Sequence, residues 1–138
     1  SGLEKAQVDL IRILTGPDPE ARSRAMEMIK PEQFTDPVLQ QVVRQALKKA
    51  DPAALVDLFT DKADRERVAA VLVEATPYEN AEQMVVDCVK KLEIHHLKEE
   101  IARLRAQMKQ MEAREEDPES LLLEVARLQQ ELRYVQNR

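Results

Sequence analysis

The groups in this chain that could do chemistry are one cysteine, two adjacent histidines and many carboxylates. Cys88 falls on the apolar side of a long helical stretch and reads as a small buried hydrophobe; being alone, it can form no disulfide within the chain, which fits a reducing compartment. His95 and His96 would point about 100° apart on a helix, so they do not share a face as a metal-binding pair four residues apart does. One cysteine and two neighbouring histidines also lack the ligand spacing of a zinc site. Glu93, Glu99 and Glu100 alternate with Lys98, Arg103 and Arg105, the pattern of a solvated coiled-coil flank. Glu112, Glu115, Glu116 and Asp117 read as an acidic turn. The two glycines stand in no phosphate-binding loop, and no serine has an obvious His and Asp set. The expectation is no catalytic residue, no cofactor and no metal, so function should lie in a surface.

The elements that would carry such a surface are helices. From Ala81 to about Glu115 there is no Gly or Pro, and Asn80 with Gln83 three residues on is a capping-box start. Such a helix is about 50 Å long, more than a small domain can bury, so one end is expected in a bundle and the other to project. Ala81, Val85, Cys88 and Leu92 form one apolar stripe. A shifted stripe then takes over: Ile94, Leu97, Ile101, Leu104, Met108 and Met111, a heptad seam. After the acidic turn and Pro118 comes a second seam, Leu121, Val125, Leu128, Leu132 and Val135. Two seams joined by a short polar turn predict an antiparallel helical hairpin; the alternative is that both helices are ordinary members of one bundle.

Upstream, residues 3–15 predict a first helix facing the core with Leu3, Ala6, Leu10, Ile13 and Leu14, widened by Val8 and Ile11. Asp-Pro then occurs four times, at Asp18-Pro19, Asp36-Pro37, Asp51-Pro52 and Asp117-Pro118. Each reads as a capping carboxylate followed by a proline with no N–H to leave unpaired. Further helices are expected over Pro19–Ile29 (Ala25, Met26 and Ile29 inward), Pro37–Ala50, Pro52–Phe59 and Asp64–Ala75 (Val68, Ala69, Leu72 and Val73 inward), with Thr76-Pro77 as a stop and Phe34 plugging the bundle. The fold class is therefore all-α, a small helical bundle followed by a long helix that continues into an antiparallel C-terminal hairpin. The subdomains are expected at 3–92 and 93–138, with helix 81–115 shared between them.

Composition agrees: 138 residues, two glycines, 3% aromatics and 43% apolar residues. Of the net charge of −5, residues 1–80 carry 11 basic and 14 acidic side chains and residues 81–138 carry 10 and 12. With no basic block in either part, direct nucleic-acid binding is not expected. No signal peptide or membrane-crossing run is present. Ser1-Gly2 reads as a cleaved-tag remnant, so the chain is taken as a fragment of a longer protein.

What remains is surplus hydrophobicity. Leu122 and Leu123 lie off the return-helix seam, and a two-helix hairpin has no third layer to cover them. They pack at the hairpin tip or await a partner. Tyr134 is a second interface candidate, and Arg127 and Arg133 flank these positions. Leu122, Leu123, Arg127, Arg133 and Tyr134 are the candidate partner-binding residues.

In its order of features the chain resembles the C-terminal helicase-binding domain of bacterial DnaG-type DNA primases. The resemblance rests on Leu10-Ile11-Arg12-Ile13-Leu14 followed by Gly16-Pro17, on Pro31-Glu32-Gln33-Phe34 leading to Pro37, and on Asp87-Cys88-Val89-Lys90-Lys91-Leu92 running into the heptad, acidic turn and leucine-rich return helix. It implies a non-catalytic all-helical module that docks on the N-terminal domains of the replicative DnaB-type helicase in the bacterial cytoplasm, recruiting primer synthesis to the fork and modulating the helicase. RNA polymerisation and zinc-dependent template recognition would belong to other domains of that primase. The fold also resembles the helicase's own N-terminal domain, which is one alternative. A coiled-coil structural adaptor is another, and a weak or domain-swapped homodimer through the hairpin is open to either.

Overall fold

The computed structural model describes residues 2–49, 51–73 and 78–138. Among them are seven α-helices, one 3-10 turn and no strand, so the protein is all-α. The helices are α1 (Gly2–Leu14), α2 (Pro19–Met28), α3 (Pro37–Ala46), α4 (Pro52–Val56), α5 (Lys62–Leu72), α6 (Ala81–Ala113) and α7 (Glu119–Gln136), with the 3-10 turn at Pro31–Gln33. The chain divides into two compact units, Ser1–Leu92 and Glu93–Arg138, and α6 contributes to both.

Side chains set most helix starts by accepting from amides that have no partner within the helix. Asp18 takes the Ala21 amide, Asp36 those of Val38 and Leu39, and Asp51 that of Ala53, each with proline next. Asp61 caps α5 in the same way without a proline, so that helix begins at Lys62 and not at Asp64. Asn80 accepts from Gln83 N at 3.2 Å, but the Gln83 amide donates onward to Asp87 and does not complete a capping box. At the last Asp-Pro pair the cap is displaced by one residue: Asp117 accepts from Glu119 N, and α7 starts after Pro118.

The first unit is built around α1, which buries seven of its thirteen residues: Ala6, Gln7, Asp9, Leu10, Ile11, Ile13 and Leu14. Leu39, Val42 and Val43 of α3, Val68 and Val71 of α5, and Val85, Cys88, Val89 and Leu92 of α6 share its core, with Phe34 closing it from the connection. Two polar residues are buried with them. Gln7, 1% exposed, accepts from the amides of Thr35 and Asp36 and donates to Leu3 O and Thr35 Oγ1. Asp9 accepts from Lys5 Nζ at 2.8 Å and from the Tyr78 hydroxyl at 2.7 Å. Arg67 crosses from α5 to Asp36 at 2.5 Å and to Glu4 at 3.1 Å. Among the described residues no buried side-chain nitrogen or oxygen lacks a partner.

The second unit is a hairpin of the C-terminal part of α6 against α7. Leu97, Ile101 and Leu104 pack on Val125, Leu128 and Val135, with Ile94, Met108, Leu121 and Leu132 partly buried beside them. The last residue, Arg138, reaches Glu93 at 3.1 Å, so the two helices run antiparallel.

Several expectations need correction. Met26 is 38% exposed, because the inward face of α2 is carried by Ala21, Ala25 and then Ile29, and Met26 sits one residue off that line. Val73 is 68% exposed: α5 ends at Leu72, Val73 turns extended (φ −85°, ψ 102°), and Val71 fills the inner face instead. The shared helix ends at Ala113, not at residue 115, because Glu115 turns left-handed. The ends expected at Ala50 and Ala75 and the Thr76-Pro77 stop lie outside the described residues; α3 closes at Ala46 and α4 at Val56.

Replacing Gln7 by Leu strands the Thr35 and Asp36 amides in the interior, and the expected loss is about 2–4 kcal/mol in urea unfolding; a loss below about 0.5 kcal/mol would mean water takes over the role. Burial alone would raise the Asp36 carboxyl, but the Arg67 hydrogen bond and charge and the Leu39 and Val38 amides hold it below its ordinary 3.8. A depressed carboxyl contributes stability above its unfolded value, and this is lost as pH falls through the folded one. Arg67→Met therefore lowers stability at neutral pH and moves acid unfolding, followed by circular dichroism, to higher pH.

Candidate partner-binding surface

Cys88 is buried, and burial, aided by the charge of Asp9, pushes its thiol up to about 11, so it stays protonated at neutral pH. His95 is half-buried and His96 exposed. Among the described residues no three His, Cys, Asp or Glu side chains are grouped to hold a metal ion, and no helix is long and apolar enough to cross a membrane.

The surface is different. Among the described residues five large apolar side chains are exposed, and three of them, Leu122 (54%), Leu123 (66%) and Tyr134 (69%), stand on α7. The seam explains why. With one flat neighbour, α7 needs only the Leu121–Val125–Leu128–Leu132–Val135 stripe for the hairpin, and everything on its other sides faces solvent.

The five candidate residues do not form one patch. At about 100° per residue, Leu122 and Arg133 lie about 20° apart on one flank of α7, while Leu123, Arg127 and Tyr134 fall within about 40° of each other away from the seam. The two arginines also differ. Arg127 is held along its own helix by Glu124 at 2.6 Å and Glu131 at 3.4 Å, and its hydrogen bond keeps the Glu124 carboxyl below the ordinary value. Arg133 is exposed and forms no ion pair among the described residues. Its guanidinium is therefore an unpaired cation on the flank of Leu122, about 16 Å farther along the helix.

The turn that leads into this surface is tightly built. Glu116 N donates to Met111 O at 2.8 Å and Glu115 N to Glu112 O at 3.0 Å, the paired bonds of a Schellman helix end. Its left-handed residue, where glycine is usual, is Glu115 (φ 58°). The sequence marks this turn as acidic; nothing in residue type marks the left-handed position.

No protein-family model, curated protein or solved structure matches the chain.

A glutamate in the left-handed region carries a steric cost that glycine does not. Glu115→Gly is expected to stabilise the hairpin by about 1 kcal/mol, read as slower amide hydrogen exchange along α7; faster exchange would show that the Glu115 side chain holds the turn.

Proposed function

We propose that this chain is a non-catalytic helicase-binding module, the counterpart of the C-terminal domain of DnaG-type primases that it resembles. It docks on the N-terminal domains of a replicative DnaB-type helicase in the bacterial cytoplasm, brings primer synthesis to the fork and modulates the helicase. The observation that carries this reading is the exposure of Leu122, Leu123 and Tyr134 on one helix of the hairpin. Large apolar side chains in solvent, with cations on the same helix and a charged surround, are the composition of a protein-binding surface. Two further features support it. The order of helix-forming and turn-forming segments along the chain resembles that of the family, and Cys88 and the carboxylates of Asp18, Asp36 and Asp51 are taken up by packing and capping.

The reading also assigns tasks. The hairpin is the tether, through its exposed leucines, and the bundle contributes to stimulation of the helicase. Direct contact with nucleic acid has no role in it, since a net charge of −5 spread over both parts of the chain repels phosphates.

Titration calorimetry against the intact helicase, and against the helicase without its N-terminal collar, tests the reading: saturable binding is expected to the first and none to the second. Leu122→Asp combined with Leu123→Asp should weaken binding about tenfold or more with helicity unchanged. A folded double variant that binds as the parent does would remove the start of α7 from the interface.

A further inference from the structure

A cleft of about 450 Å³ opens in the first unit between α2 and the residues Ala46, Lys49 and Pro52. Leu14, Met26 and Ala46 give it an apolar floor between Pro19 and Pro52. Its charged lining residues are both cations, Arg22 and Lys49. Asp18 and Asp51, the carboxylates next to its edges in sequence, are turned to the amides of Ala21 and Ala53. Arg22 donates one bond to Gly16 O, and neither cation forms an ion pair among the described residues. The cleft thus joins two cations to an apolar floor in a chain whose net charge is −5.

The complementary pattern lies in the same sequence. The hairpin turn carries exposed Glu112, Glu115, Glu116 and Asp117 against one exposed cation, Arg114, and exposed Leu122 and Leu123 follow three and four residues after the α7 start at Glu119. Among the described residues two non-glycine residues have positive φ. One is Lys49 (φ 61°), on the rim of the cleft; the other is Glu115 (φ 58°), at the hairpin turn. Both hold a charged side chain in a backbone conformation that disfavours it, and their charges are opposite.

We propose that the cleft takes the acidic, leucine-bearing hairpin turn of a second copy of this chain, with Glu115 and Glu116 on Arg22 and Lys49 and the exposed leucines over Met26. The contact joins two different patches, so it is heterologous, and its electrostatics make it weaken with salt. A cleft of this size is in the range of about 300–1,000 Å³ typical of small-molecule pockets, room for a few side chains of the turn. Leu122 and Leu123 also belong to the surface assigned above to the helicase, so self-association and docking exclude each other; that consequence rests on the proposed function, whereas the association does not.

Sedimentation equilibrium of the whole chain from micromolar to millimolar concentration tests it. The wild type should gain mass with concentration. Arg22→Glu with Lys49→Glu should raise the dissociation constant about tenfold or more, and so should Glu115→Lys with Glu116→Lys. Mixing these two variants should restore association, because one keeps an intact turn and the other an intact cleft. Met26→Glu reaches the same loss by an apolar route, and Glu99→Lys, which belongs to neither the cleft lining nor the turn, should change nothing. A wild type that stays monomeric throughout, or cleft variants that associate as the wild type does (as a hairpin swap would), overturns the proposal. A mixture that stays monomeric overturns it too.

Discussion

Gln7 places a primary amide inside an otherwise apolar helix face and binds four groups of the backbone and of Thr35 from there. The amides of Thr35 and Asp36 have no helix of their own to satisfy them, since the chain is leaving the 3-10 turn and has not yet entered α3. By accepting both, Gln7 fixes where α3 begins relative to α1. Asp36 then caps α3 with one carboxylate oxygen and receives Arg67 of α5 on the other. Three helices are thus registered by one chain of charge-assisted and neutral bonds running from the core to the surface. A buried polar network of this kind is favourable only when complete, and this one is complete: the apolar packing of Leu10, Leu39, Val42 and Val68 gives the bundle its stability, and the network selects one arrangement of it.

The hairpin is specified by other means. Its buried cluster is wholly apolar, and the register of α7 on α6 comes from the match of two heptad stripes. Such a match tolerates slippage unless its ends are pinned. At one end the Schellman turn fixes the path of residues 111–119, and at the other Arg138 pairs with Glu93. Along its flanks the charges pair within single helices, Glu100 with Arg103 on α6 and Arg127 with Glu124 and Glu131 on α7. Exposed pairs of that sort add little stability. They do keep the flanks solvated and leave the exposed leucines as the apolar exceptions.

Much of this architecture is legible in the residues, because its determinants are local. Asp-Pro announces a helix start through the chemistry of one side chain and one ring, and stripes at steps of 3 and 4 announce a buried face. The readings that failed are those where neighbours decide. Met26 belongs to a helix whose inner line is made of small residues, and only the packing of α2 shows that Ala21 and Ala25 hold it. Val73 depends on where α5 stops. Gln7 is a polar letter among apolar ones, and nothing in its own vicinity says that the amides it serves lie about thirty residues on. That Leu122 and Leu123 fall off the single seam of the hairpin is legible for the opposite reason, since it follows from spacing alone; that they stay exposed and do not pack at the tip is shown by the structure. That they divide between two flanks with different cations also follows from helical periodicity alone. That Arg127 is occupied and Arg133 is not depends on side-chain geometry.

This division bears on how a partner can read the surface. Fully burying a leucine contributes about 1.5–3 kcal/mol, and association must first overcome lost freedom of motion, so neither leucine alone supports a lasting complex. A flat partner face would cover one flank of α7, taking either Leu122 with Arg133 or Leu123 with Tyr134. A concave face would cover both and gather the full apolar area around the helix. The free guanidinium of Arg133 would favour a partner that offers a carboxylate on the Leu122 side, since Glu124 and Glu131 of α7 are directed to Arg127. Specificity would then come from the cation and affinity from the leucines and the tyrosine, with the seam beneath holding α7 rigid enough that little freedom is lost on binding.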